Sequence, residues 1–150
     1  MGGEILEYIS GSPLKDCIEL VPYVPHSESI NYLMKADAML LLIDEDKYSK
    51  MVLSGKVFEY LGASLLTGKP ILALAGEGEA SDLIKETSGG EVIPHHSPEQ
   101  LEAALLKYYN DFLSGNNSYS TNKDSIKQYE RWALTKKLAE VFNDAIEIAK

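Results

Sequence analysis

Apolar positions along the chain switch between two spacings, and the switches mark out helices that alternate with strands. From Gly3 to Ser10, Ile5, Leu6, Tyr8 and Ile9 suit a short helix, and Gly11, Ser12 and Pro13 end it in a turn. The run Ile18 to Val24 reads as a strand. Pro22 inside it lacks the amide hydrogen that a sheet ladder needs, which places that strand at an edge or near its own end. Ser27 is the expected N-cap of a helix over 27–36, with Glu28 in its first turn and Ile30, Leu33 and Met34 at helical spacing. Ala38 to Ile43 is apolar on both faces, as a strand is when it lies between helices in a parallel sheet, and it is read as the central strand.

The charged stretch from Asp44 to Gly55 shows little periodicity and is expected to be a loop at the C-terminal end of that strand, where doubly wound folds hold their ligands. Lys56 to Thr67 predicts a helix stopped by Gly68 and Pro70, and Pro70 to Ala75 predicts the next buried strand. Gly76 and Gly78 turn the chain into a helix over 80–87, Gly89 and Gly90 close it, and Glu91 to Pro94 is a short last strand. Ser97 and Pro98 announce a helix that runs to about Leu113. Residues 114–123 are polar and turn-rich, a surface connection, and from Asp124 onward a final amphipathic helical segment is interrupted near Trp132. The whole is an α/β pattern: a Rossmann-like, mostly parallel sheet of about four strands flanked by helices, in one domain.

Composition narrows the partners more than the fold. The 150 residues carry 14 Lys plus Arg against 23 Asp plus Glu, a net charge of -9, which repels a nucleic-acid backbone in the absence of a local basic patch. Cys17 is the single cysteine, so no disulfide forms within the chain, and a reducing, cytoplasmic setting fits best. The longest apolar run, Ala38 to Ile43, is far shorter than the roughly 20 residues of a membrane-spanning helix, so no transmembrane segment is expected; a peripheral membrane role stays open for a longer parent.

The chemistry concentrates where the loop after Ala38 to Ile43 enters a helix. A helix N-terminus presents unpaired N–H groups and the positive end of the dipole, so Ser54, Gly55 and the Lys56 ammonium can together hold a diphosphate. Glu59, one turn on, lies on the same side as Lys56, where its carboxylate can accept hydrogen bonds from the two hydroxyls of a ribose. On spacing alone, a serine cap followed by a solvent-facing Lys–Glu pair is the commoner arrangement. His95 and His96 are adjacent loop residues with no further ligand at metal spacing, and the acidic run Asp44-Glu45-Asp46 reads as solvated, so no metal site is expected.

The words Tyr23 to Glu28, Ala36 to Leu42, Gly55 to Leu61 and Gly68 to Leu74, in that order, resemble the C-terminal, nucleotide-sugar-binding domain of GT-B glycosyltransferases. The match is to the retaining glycosyltransferases group 1 family, which builds capsules, lipopolysaccharides and other glycoconjugates. The resemblance covers roughly residues 4 to 112, and Tyr129 to Ala149 suits the last helix, which in that fold crosses back toward the N-terminal domain. It implies that Glu59 is the second glutamate of the family's paired motif and holds the donor ribose. It implies further that Ser54, Gly55 and Lys56 face the diphosphate, and that Val24 and His26 form the lip that contacts the base. The resemblance implies a nucleoside-diphosphate sugar as the donor substrate and no cofactor.

Two positions depart from the family pattern. Met51 stands where the first glutamate of the pair belongs, so no catalytic acid is carried over, and the stretch between Glu59 and Pro70 is about four residues longer than usual, one helical turn. The resemblance also implies that the chain is part of a longer parent, beginning inside the helix after the domain's second strand and so lacking its first two strands and the acceptor-binding N-terminal domain, and is inactive in transfer alone. Removing two strands from the order 3-2-1-4-5-6 leaves a gap beside Ala38 to Ile43. Ile18 to Val24 is expected to close it by direct pairing, with a homodimer through the exposed edge as the alternative. Two further readings compete: a stand-alone Rossmann-like binding or interaction module, and part of a sugar-nucleotide epimerase of the same architecture.

Overall fold

The structure, a computed structural model, describes residues 3–44, 49–51, 53–116, 119 and 121–148. Among them run α1 (Gly3–Gly11), α2 (His26–Lys35), β1 (Met39–Leu42), α3 (Gly55–Thr67), β2 (Ile71–Leu74), α4 (Glu79–Glu86), β3 (Gly90–Ile93), α5 (Pro98–Ser114), α6 (Lys123–Lys127) and α7 (Arg131–Ile148), with 3-10 turns at Lys15–Cys17 and Ser49–Met51. The three strands form one parallel sheet in the order β1-β2-β3. The register aligns Met39 with Ile71 and Ile71 with Gly90.

Strands this short and apolar are held largely by burial of their faces, and the sheet divides its side chains between two of them. Met39 and Leu41 of β1 and Ile71 and Ala73 of β2 face Val57, Leu61 and Ala63 of α3 and Ala80, Leu83 and Ile84 of α4, with Leu33 of α2 at the margin. On the opposite face Leu72 and Ile93 pack against Ala104 and Tyr108 of α5. Helix ends follow backbone chemistry. Gly68 and Gly115 close α3 and α5 in the left-handed region at φ 69 and 68, where a side chain would be strained.

Beside Glu91 of β3, Lys107 and Tyr119 both donate to one carboxylate oxygen, fastening α5 and the chain after it to the sheet. Tyr119 and Thr121 therefore depart from a purely surface connection over 114–123. Thr121 is buried and its hydroxyl lies 2.7 Å from that of Ser64 in α3.

The structure corrects the sequence reading at three places. Ile18 to Val24 is extended but belongs to no sheet, so the described sheet has three strands rather than four. Pro22 removes an amide donor from that stretch, Tyr23 stays 96% exposed, and neither closure by this segment nor any pairing with β1 occurs within the chain. β1 is consequently an edge strand and not the central one. Its second face, Leu40 and Leu42, is 53% and 63% exposed because α5 covers only the β2–β3 half of the sheet. Ser27 does not cap α2; the helix starts at His26 after Pro25, without a side-chain cap. From Glu59 the chain stays helical to Thr67, so most of the stretch before Pro70 lies inside α3, which runs unbroken for 13 residues.

Candidate functional site

α3 begins at the C-terminal side of β1, and its first turn carries most of the predicted site. Ser54 occupies the N-cap position with extended backbone (φ -75, ψ 151), yet its hydroxyl makes no capping hydrogen bond, so the amino end of α3 is not closed by its own side chain. Gly55 opens the helix with nothing described within 4 Å of where a Cβ would stand. Lys56 is exposed beside it. An open helix terminus with an adjacent ammonium group favours an anion.

Glu59, one turn further, is half-buried, and its Oε1 lies 2.9 Å from Nε2 of His26. His26 is the first residue of α2 and Val24, half-buried, precedes it by two positions. Two segments 33 residues apart thus meet through one polar contact. The pair uses one carboxylate oxygen, and an ionised carboxylate retains acceptor capacity for further hydroxyl donors. Burial raises the Tyr60 hydroxyl above its usual range, and the negative charge of Glu59 next to it acts in the same direction. Of the six residues singled out from sequence, the structure joins His26 and Glu59 by a hydrogen bond and sets Ser54, Gly55 and Lys56 on the same helix end. Among the described residues no side-chain hydrogen bond links Val24 to the others, and it stands two positions before α2 in the chain.

A second set of contacts on the C-terminal rim escaped the sequence reading. His95, in the turn after β3, places Nε2 2.7 Å from the carbonyl oxygen of Ile43, the residue that follows β1. Gly78, before α4, has φ 152, and a Cβ there would lie 2.7 Å from Cα of Lys50. Nζ of Lys50 is 3.4 Å from Oε2 of Glu77. The Ser49–Met51 turn is therefore pressed onto the loop after β2, and Met51 is 73% exposed. The adjacency of His95 and His96 pointed to loop residues. Only the position of His95 one step past the end of a strand hinted that it stands on the rim.

Among the described residues no group of three His, Cys, Asp or Glu is arranged to hold a metal ion. In the acidic run after β1, Glu45 and Asp46 lie outside the described residues. No described helix is long and apolar enough to cross a membrane. Comparison with protein-family models, with curated proteins and with solved structures finds no match to this chain.

Proposed function

We propose that the chain is the donor-nucleotide-binding domain of a GT-B glycosyltransferase, holding a nucleoside-diphosphate sugar whose sugar passes to a glycan or lipid-linked acceptor bound by another domain. The observation that carries the reading is the 2.9 Å His26–Glu59 contact beside the uncapped end of α3, because it orients a carboxylate within one turn of an anion-attracting helix terminus. In this arrangement Glu59 accepts from the ribose hydroxyls, the amides of Ser54 and Gly55 and the Lys56 ammonium face the diphosphate, and the base lies along Val24 and His26. Transfer breaks the bond between the sugar's anomeric carbon and the diphosphate oxygen. The chain's contribution is to neutralise the departing diphosphate and fix its position. Met51 offers a thioether where the family has a carboxylate, so sugar recognition falls to groups outside this site.

A second reading, a Rossmann-like interaction module, is favoured by the bare apolar face at Leu40 and Leu42. Titration calorimetry with nucleoside diphosphates separates the two. Binding that is weak but abolished by Glu59→Ala and by Lys56→Ala supports the nucleotide site; no binding, or binding undiminished in both variants, removes it in favour of the interaction module.

A further inference from the structure

α7 is the longest helix described, 18 residues or about 27 Å, and none of its residues is buried. Its pattern is that of a helix meant to be covered. Leu134, Leu138, Val141, Ala145 and Ile148 recur alternately four and three residues apart and so line one stripe. Leu138, Val141 and Ile148 are 52%, 61% and 87% exposed, and Phe142 and Ile146 widen the stripe on one side.

The charges on α7 are sorted by sign along its length. Arg131, Lys136 and Lys137 occupy the first half, and Glu140, Asp144 and Glu147 the second. That order is unfavourable in a lone helix, whose amino end prefers acidic and whose carboxyl end prefers basic side chains. It becomes favourable beside an antiparallel copy, which lays each basic half on an acidic half and opposes the two dipoles. Lys137 and Asp144 each immediately precede a stripe residue, Leu138 and Ala145, and so flank the stripe on the same side. They are placed symmetrically about the Glu140–Val141 midpoint, so a two-fold axis there sets Lys137 against the partner's Asp144 twice. A parallel pair would set like charges together. With three basic and three acidic residues α7 carries no net charge, so this surface escapes the self-repulsion of a chain at -9.

We propose that α7 is a self-association surface through which two copies of this chain pair as an antiparallel, two-fold symmetric helix dimer along Leu134, Leu138, Val141, Ala145 and Ile148. The proposal rests on α7 alone and does not depend on the nucleotide site. Sedimentation equilibrium of the full chain over a wide concentration range, with circular dichroism to check folding, tests it. The wild type is expected to dimerise, and Leu138→Glu combined with Val141→Glu to be monomeric. Lys137→Asp and Asp144→Lys, both surface changes, are each expected to weaken the dimer severalfold, and the double reversal to restore it. A wild type that stays monomeric up to millimolar concentration overturns the proposal. So does a dimer indifferent to the stripe variants or to both single reversals, since the contact then lies elsewhere, such as the open edge of β1.

Discussion

Nε2 of His95 stands 2.7 Å from the carbonyl oxygen of Ile43, and the contact ties the turn after β3 to the chain leaving β1 across the intervening strand. A carbonyl only accepts, so Nε2 carries the hydrogen and the ring is held in one tautomer. The contact fixes the rim that the candidate site shares. His95→Ala is expected to cost about 1 to 2 kcal/mol of stability, from the lost bond and the unpaired carbonyl. His95→Gln, which keeps a donor, should recover part of that loss in urea unfolding. Equal stability of wild type and His95→Ala would show that the strap carries no load.

Two glycines make opposite demands. A Cβ on Gly90 would fall 1.8 Å from the carbonyl oxygen of Ile71 in the neighbouring strand, while one on Gly55 meets nothing within 4 Å. Gly90→Ala is expected to force β2 and β3 apart and cost about 3 kcal/mol or more, enough to unfold a marginal domain. Gly55→Ala should leave the thermal midpoint nearly unchanged. A cooperative, native-like melt of Gly90→Ala would contradict the tight β2–β3 approach.

The Glu91 cluster gives stability a pH dependence with a definite sign. Burial acts to raise the Glu91 carboxyl, but the hydrogen bonds from Lys107 and Tyr119 outweigh it and hold the group below its ordinary value of 4.5. Lys107 is raised above its ordinary 10.5, mainly by the hydrogen bond to Glu91. A lowered acid stabilises the fold above its unfolded-state value and loses that contribution as the pH falls through the folded-state one. A raised base stabilises it below its unfolded-state value and loses that contribution as the pH rises through the folded-state one. The gap in stability between wild type and Glu91→Gln should therefore be widest at neutral pH, about 1 kcal/mol for a partly exposed pair, and close as the pH falls below 4.5 and through the lowered folded-state value. A gap independent of pH would assign the effect of the substitution to packing.

Local signals made most of the fold legible. The apolar runs at Met39–Leu42 and Ile71–Leu74, Gly68 ending α3, Pro98 opening α5 and the break between α6 and α7 are short-range signals, and the structure follows them. What sequence pattern misplaced depends on partners distant in the chain. Ile18 to Val24 has strand composition, but a strand exists only as part of a ladder. The unbroken apolar run of β1 likewise does not tell whether Leu40 and Leu42 are covered, because that depends on how far α5 reaches. At the site, Lys56 and Glu59 were legible as neighbours on one helix turn. The His26–Glu59 contact was not, since it joins two helices.

The bare half of the sheet should reveal itself in solution. Leu40 and Leu42 present apolar side chains beside an edge with unpaired backbone groups, a template for association. Leu40→Lys combined with Leu42→Lys removes apolar area that is more than half exposed, so it should leave the melting midpoint within a few degrees while reducing binding of a hydrophobic dye and raising solubility. A large fall in stability would mean that this face is covered in solution.

His26 and Glu59 separate stability from function. Their side chains are 72% and 36% exposed, and an exposed pair of this kind contributes no more than about 1 kcal/mol. His26→Ala should thus shift unfolding by less than that while weakening nucleoside-diphosphate binding, because the Glu59 carboxylate loses the group that fixes its direction. Glu59→Gln should weaken binding without abolishing it, and adding His26→Ala to it should cost less than His26→Ala alone, since the share of the His26 effect that runs through Glu59 is already gone. A double-mutant cycle with binding as the readout decides the point. Fully additive losses would mean that His26 acts through the base alone and does not position Glu59, and a loss of stability well above about 1 kcal/mol would make the pair a structural tie between α2 and α3.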